Sequence, residues 1–293
     1  MKPSLTTLAR RALDEAKIAD ATVLVATSGG PDSMALLSVL ATLAKTRKLR
    51  IVAHGVDHGL RPEASAELDL AASLAASLGV PFARTRVQVA RGGNVQARAR
   101  SARWAALVEA ARTEGAIVAT AHHADDRAET VLLRLFRGAG LRGLAVLPLR
   151  ATAAGAPDVH VVRPLLRARR ADVLAHVERH GITFACDPSN DDPRYGRTRV
   201  RNDLMPLLAA LDPRIVEHLS AVADEASERH VAGHTTSWMA GLPRATQEAL
   251  VALVRSRNRE ARVWLPDGLV VMVNERKPSK SPTPLLVRRG RGI

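Results

Sequence analysis

Cysteine is all but missing, since Cys186 is the only one in 293 residues. A single thiol excludes an intrachain disulfide framework, a CxxC redox pair and a cysteine-rich zinc or iron–sulfur site. Aromatic side chains are nearly as scarce, at 2% of the chain, so base stacking on Phe, Tyr or Trp cannot be widespread. Lysine does not occur between Lys48 and Lys277, which leaves the positive charge almost wholly to arginine. No apolar run reaches the roughly 20 residues that span a bilayer. The opening MKPSLTTLARRALDEA has no apolar core of a secretory signal. These absences lead us to expect a cytoplasmic protein with no membrane partner.

What remains is ordinary globular material, 46% apolar and 25% charged, enough for one large domain and a smaller one. The net charge of +14, from 43 Lys and Arg against 29 Asp and Glu, suits a polyanionic partner such as RNA. The arginine and alanine richness also fits a bias in coding.

Residues 5–18 have helical spacing. The run Thr22 to Ala26 then reads as a strand buried on both faces, followed by a glycine turn and a helix from Met34 to Leu43. Strands are expected at 50–57, 81–89 and 116–121, with a weaker one at 158–163. Helices are expected at 63–78, 96–112, 125–136 and 168–180. This alternation predicts an α/β fold with a Rossmann-like, doubly wound, mostly parallel sheet. Past Asn190 the strand pattern stops, apart from an apolar run at 268–273. The expected organisation is a catalytic domain over 1–208, a helical linker over 209–230, and a small C-terminal domain over 231–293. The last ends in a turn-rich, basic tail containing Arg288, Arg289 and Arg291.

The run Ser28-Gly29-Gly30-Pro31-Asp32-Ser33 lies between the first strand and its helix. Adjacent glycines turn tightly and present bare N–H groups, and the helix adds a positive N-terminal end. Together these make an anion cradle, to which Ser28 and Ser33 can add hydroxyl donors. Asp32 suits a phosphate site only if a cation bridges it, which points to Mg²⁺. The plain alternative is a strand-to-helix turn with Asp or Ser as cap. No Walker loop or G-x-G-x-x-G run is present.

A second run, Thr120-Ala121-His122-His123-Ala124-Asp125-Asp126-Arg127-Ala128-Glu129-Thr130, enters a helix at the end of the fourth strand. Ligands of parallel sheets gather at such ends. Asp125 and Glu129, four apart, share a helix face and can hold an ammonium group or a metal ion. Alternatively, first-turn acids only complement the helix dipole, or the run belongs to a His-Asp phosphohydrolase, although no further ligand set is evident.

The SGGxDS run resembles the signature of the PP-loop ATP pyrophosphatases. His122 to Leu147 resembles the tRNA(Ile)-lysidine synthetase family. So do Val56-Asp57-His58-Gly59-Leu60-Arg61, Gly93 to Trp104, Cys186 to Asn190, and Tyr195 to Arg201. The likeness spans about residues 20–210, in order. It implies ATP bound by Ser28 to Ser33 with Asp57, His58, Arg100 and Arg103, and Mg²⁺ on Asp32. It implies L-lysine bound by Asp125, Asp126 and Glu129. Catalysis would then involve Asp32, Asp125, Asp126, Glu129, Arg197 and Arg201.

The implied RNA is isoleucine tRNA with a CAU anticodon. Its wobble cytidine is adenylated with release of pyrophosphate, and the lysine ε-amine then displaces AMP. A homodimer is implied as well. Three positions depart from the family pattern. Arg127 stands for a usual glutamine and is expected to place an extra cation beside the acids. Trp104 replaces a tyrosine, and Thr198 an asparagine. Competing readings are tRNA thiolation, whose enzymes generally rely on cysteines, and a non-catalytic RNA-binding descendant.

Overall fold

A computed structural model describes residues 2–59, 63–89, 95–185 and 196–236, with short pieces at 245–246, 248–249, 262–264, 269–273 and 285–289. The chain divides into two compact units, Met1–Asp224 and Glu225–Ile293. Cys186 to Tyr195, Leu60-Arg61, Gly93-Asn94, Lys277 to Pro284 and Arg291 lie outside the described residues.

The first unit is built on a six-stranded sheet of order β3-β2-β1-β4-β6-β5. Its strands are β1 (Ala21–Thr27), β2 (Leu49–Asp57), β3 (Phe82–Arg86), β4 (Ile117–Ala119), β5 (Arg150–Ala153) and β6 (Ala156–Val162). All neighbours run parallel except β5 and β6. β1 shows why the sheet is central. Val23 and Val25 pack into one core while Leu24 and Ala26 pack into another, so both faces are covered. The first core takes α1 (Leu5–Glu15), α2 (Pro31–Arg47), α3 (Glu63–Ser77) and α7 (Arg170–Arg179). The second takes α4 (Val95–Glu114) through Leu107, Val108 and Ala111. β2 and β4 flank β1 on opposite sides, so the chain changes winding direction there and opens a crevice at the strands' C-terminal ends.

The expected strand at 81–89 shortens to Phe82–Arg86. β5 escapes sequence patterning, because its alternation covers only four residues and its inward positions, Ala151 and Ala153, are small. It exists as the first arm of a hairpin turned at Gly155, whose φ is +76°. α5 (Ala124–Leu135) and α6 (Leu141–Leu144) precede it.

Beyond residue 195 come α8 (Gly196–Arg199), a π-helical turn (Val200–Leu204), α9 (Met205–Leu211) and α10 (Ile215–Thr236). The stretch expected as a linker does not hang free over its first part. Val216, Leu219 and Ala223 are buried, and Asp224 holds Arg127 of α5 at 2.7 Å.

In the second unit strands do not stop. β7 (Arg262–Trp264), β8 (Leu269–Val273) and β9 (Leu285–Arg289) form an antiparallel sheet. β7 and β9 are short and arginine-bearing, which hid them. Arg288 and Arg289, expected in a tail, pair in register with Val270 and Leu269.

Candidate functional site

The glycine run closes β1 onto α2 as its residue types require. Pro31 is the first residue of α2 and Gly30 its N-cap. Gly29 has φ +79°, and a Cβ there would meet the Glu67 carbonyl oxygen of α3 at 2.3 Å, so no other residue fits. A Cβ on Gly30 would meet only Ser28 Oγ, at 3.7 Å. That side is an open cradle of backbone N–H groups at a helix start. Ser33 Oγ donates to the Gly30 carbonyl at 3.0 Å and accepts from Ser28 N–H at 3.1 Å. Its proton therefore closes the loop, and Ser28 Oγ, 3.3 Å from Ser33 Oγ, donates its own proton to that hydroxyl, which leaves the cradle to the backbone N–H groups.

A cavity of about 200 Å³ opens over this loop. It is lined by Ser28, Asp32 and Ser33, by Arg100, Arg103, Trp104 and Leu107 of α4, and by Thr120, His122 and Asp126. Arg103 is half-buried in the wall, and desolvation there and its neighbour Arg100 hold its pKa below the ordinary arginine value. Neither arginine has a carboxylate partner among the described residues. Asp57 and His58 are not in this lining. Asp57 instead accepts the Gly59 N–H at 2.8 Å and closes the turn after β2.

The acidic run sits at the start of α5. His123 is the N-cap, accepting from Asp126 N–H through Nδ1 at 3.3 Å, while Asp126 accepts the His123 N–H at 3.1 Å. This reciprocal cap explains the His and Asp three apart. The three carboxylates then diverge. Asp125 turns to the start of α7, taking the Arg170 N–H at 2.8 Å and the Arg169 guanidinium at 3.1 Å. Asp126 accepts from Arg197 at 2.9 Å. Glu129, 2% exposed, is clamped by Arg197 at 2.8 Å and by Arg201 at 2.7 and 3.0 Å. The structure thus brings Arg197 and Arg201 onto the acids.

Asp32 faces this group across the crevice. Its Oδ1 is buried with no hydrogen-bond partner and lies 3.7 Å from His123 Nε2, itself unpartnered. Burial pushes the Asp32 pKa above the usual carboxylate value, with His123 opposing and Asp126 adding to the rise. For Asp126 burial also pushes upward, but His123, Arg197 and His122 outweigh it and hold the group below the usual value. Burial drives His122 down to about 4, so its imidazole is neutral at pH 7. Its Nδ1 lies 2.9 Å from Thr120 Oγ1.

Arg127 is not beside the acids as its sequence position led us to expect. It is 1% exposed and points the other way, donating to Asp224 at 2.7 Å and to the Val146 carbonyl at 3.2 Å. The reason is helical phase, since position 127 lies on the face of α5 that packs towards α10. Sequence reasoning also missed Arg169. Nothing in its local pattern marks it, because its partner Asp125 is 44 residues away. Thr198 is buried in α8, and Trp104 lines the cavity.

A family model described as a PP-loop domain, ATP_bind_3, matches residues 4–208. The chain is 47% identical over 192 residues to a tRNA(Ile)-lysidine synthase of Novosphingobium aromaticivorans, covering 65% of this chain and 58% of that one. It is 42% identical over 200 residues to one of Pseudomonas aeruginosa, covering 68% of this chain and 44% of that one. Relative to these proteins the chain spans about half the length. A tRNA(Ile)-lysidine synthase of Thermobifida fusca is 40% identical over 265 residues, covering 84% of this chain and 79% of that one. The U34-tRNA thiolase NcsA from Methanococcus maripaludis shares the fold, with a TM-score of 0.64 at 18% identity over 76% of this chain and 78% of that one. With the PP-loop match across most of its length and this identity to a relative of similar extent, the chain belongs to the tRNA(Ile)-lysidine synthase family.

Proposed function

We propose that the protein ligates L-lysine to C2 of the wobble cytidine of a CAU-anticodon isoleucine tRNA, splitting ATP to AMP and pyrophosphate. One observation carries this reading. An anion cradle at Ser28 to Ser33 and Asp126, the member of the acidic cluster at the start of α5 that reaches the crevice, line one cavity. The first suits a triphosphate and the second an ammonium group.

The chemistry divides between the two. The cytidine carbonyl oxygen attacks the α-phosphate, and pyrophosphate leaves. Backbone N–H groups at Gly30, and Arg100 and Arg103, are placed to hold the phosphate oxygens. Asp32 fits a Mg²⁺ ion, because its Oδ1 is buried without a partner. No cluster of three or more protein ligands occurs among the described residues, which matches an ion completed by phosphate oxygens and water. When bound, such an ion neutralises charge on the leaving pyrophosphate. Lysine's ε-amine then attacks C2 after losing a proton, and AMP departs.

Of the acidic cluster, Asp126 lines the crevice and Glu129 lies buried behind it, and the two are held by Arg197 and Arg201. An amine can take a guanidinium's place there if the guanidinium has another anion to meet, and the triphosphate is one. Asp57 and His58 are assigned to the ATP site on the family likeness alone. No helix among the described residues is long and apolar enough to cross a membrane. The proposed setting is the cytoplasm, and the proposed assembly a homodimer.

The test is transfer of radiolabelled lysine to CAU-anticodon tRNA in the presence of ATP. Unlabelled tRNA with folded, ATP-binding protein rejects the reading. Asp32→Ala is expected to lower pyrophosphate release by at least about 10²-fold, the scale of losing one preorganised charge contact.

A further inference from the structure

α5 has a second functional end. Its first turn carries the carboxylates, but its last turn and the loop that follows are exposed and apolar. Leu135 is 44% exposed, Phe136 66% and Leu141 45%. The chain holds only three phenylalanines, and a large aromatic left in water at the tip of a helix calls for a partner. Across from it lies α9, Met-Pro-Leu-Leu-Ala-Ala-Leu, of which no residue is buried. Between them runs an open groove of about 560 Å³, whose walls include Phe136 and Arg137 on one side and Arg199, Leu204 and Leu207 on the other.

The charge around this groove identifies the class of occupant. Arg134, Arg137 and Arg142 are exposed, and none has a carboxylate partner among the described residues. Arg199 has only a loose, exposed pairing with Asp203, at 3.8 Å. A purely apolar protein surface would leave these cations unanswered. An RNA strand offers both things the groove lacks, a flat apolar face on every base and an anion between bases. Placement agrees with this. α5 has 12 residues and so is about 18 Å long, which separates the acidic end from the groove by a few nucleotides. The short helix after residue 195 and the π-helical turn that follows serve both places, with Arg197 and Arg201 on the acids and Arg199 in the groove.

We propose that the groove between the end of α5 and α9 is an RNA subsite, in which an unpaired nucleotide flanking the reacting base stacks on Phe136 and its phosphates meet Arg137 and Arg199, the latter exchanging its loose pairing with Asp203 for a phosphate. The inference rests on the reading of the substrate as RNA. It deepens that reading by saying where the strand is held.

The test measures binding of a fluorescent hairpin with a CAU loop to the full chain by anisotropy, across a salt series. Phe136→Ala is expected to weaken binding about tenfold, on the scale of one lost base stack, and Phe136→Trp to restore it. The double variant Arg137→Gln, Arg199→Gln is expected to lower the slope of log K against log salt by about 1.4 to 2. ATP affinity and melting temperature should stay at wild-type values in all of them. Should Phe136→Ala fail to fold, the arginine variant decides, because it alters only exposed side chains. Wild-type RNA affinity and salt slope in the folded variants overturn the subsite, even if lysine transfer succeeds. A wild-type dimer that Phe136→Ala dissociates, with RNA affinity unchanged, also overturns it and gives the groove to a second copy of the chain. A wild-type chain that does not bind the hairpin overturns the RNA reading and the subsite together.

Discussion

The two ends of the crevice handle charge in opposite ways. Over the glycine loop, the exposed Arg100 and half-buried Arg103 have no carboxylate partner among the described residues, and the buried Asp32 Oδ1 has no hydrogen bond and lies 3.7 Å from His123 Nε2. At the start of α5 every carboxylate is already held, Asp125 by Arg169 and Arg170, Asp126 by Arg197, and Glu129 by Arg197 and Arg201. A desolvated charge without a partner is costly, and a buried pair is costly only when broken. The loop end is therefore organised around charge that a ligand brings. The helix end is self-sufficient and contributes to the fold.

Substitutions can break this contrast. Glu129→Gln leaves two guanidiniums facing a neutral group, so the fold should lose about 3 kcal/mol. A thermal melt should show a drop of about 10 °C, along with a raised KM for lysine. An unchanged melt would mean the clamp is not structural.

Next in size is Arg127→Gln, which removes the tie to Asp224 and the Val146 carbonyl. We expect about 2 kcal/mol of destabilisation in urea titration, with the lysine KM unaltered. A changed KM would place Arg127 back beside the acids.

Arg103→Ala should do the reverse, weakening ATP about tenfold by calorimetry with no loss of melting temperature. If it destabilises as Glu129→Gln does, the two ends are not different in kind.

The smallest effect concerns pH. Burial, with His180 and Arg179 nearby, pushes His176 down to about 4. The folded state therefore refuses a proton that the unfolded chain accepts near 6.5. Stability contributed by the neutral ring is present above about 6.5 and is lost as pH falls towards 4. Between pH 7 and pH 6 the loss is about 0.7 kcal/mol. His176→Gln should remove that slope, and a slope equal to wild type would show that His176 is not its source.

The same contrast explains what was legible in the sequence. The sheet and its helices announce themselves through apolar period and glycine stops, as Val23 to Ala26 and Gly138 and Gly181 show, the last two with φ of +72° and +58°. The phosphate loop is local, so six consecutive residues describe it. The acidic end depends on partners 44, 68 and 72 residues away, and spacing along one helix cannot show where an arginine from another will land. The same limit hid the phase of Arg127. β5 is visible only through the hairpin that pairs it with β6.

The cap at the start of α5 also fixes where a proton sits. His123 Nδ1 accepts the Asp126 N–H, so that nitrogen carries no hydrogen, and the neutral ring is the tautomer protonated at Nε2. That N–H faces Asp32 Oδ1 and Asp126 Oδ2, at 3.7 and 3.5 Å. While the cap is in place, His123 presents the Nε2 edge of its ring, and not Nδ1, to the two carboxylates. The cap thus holds one imidazole edge between two carboxylates from different ends of the crevice.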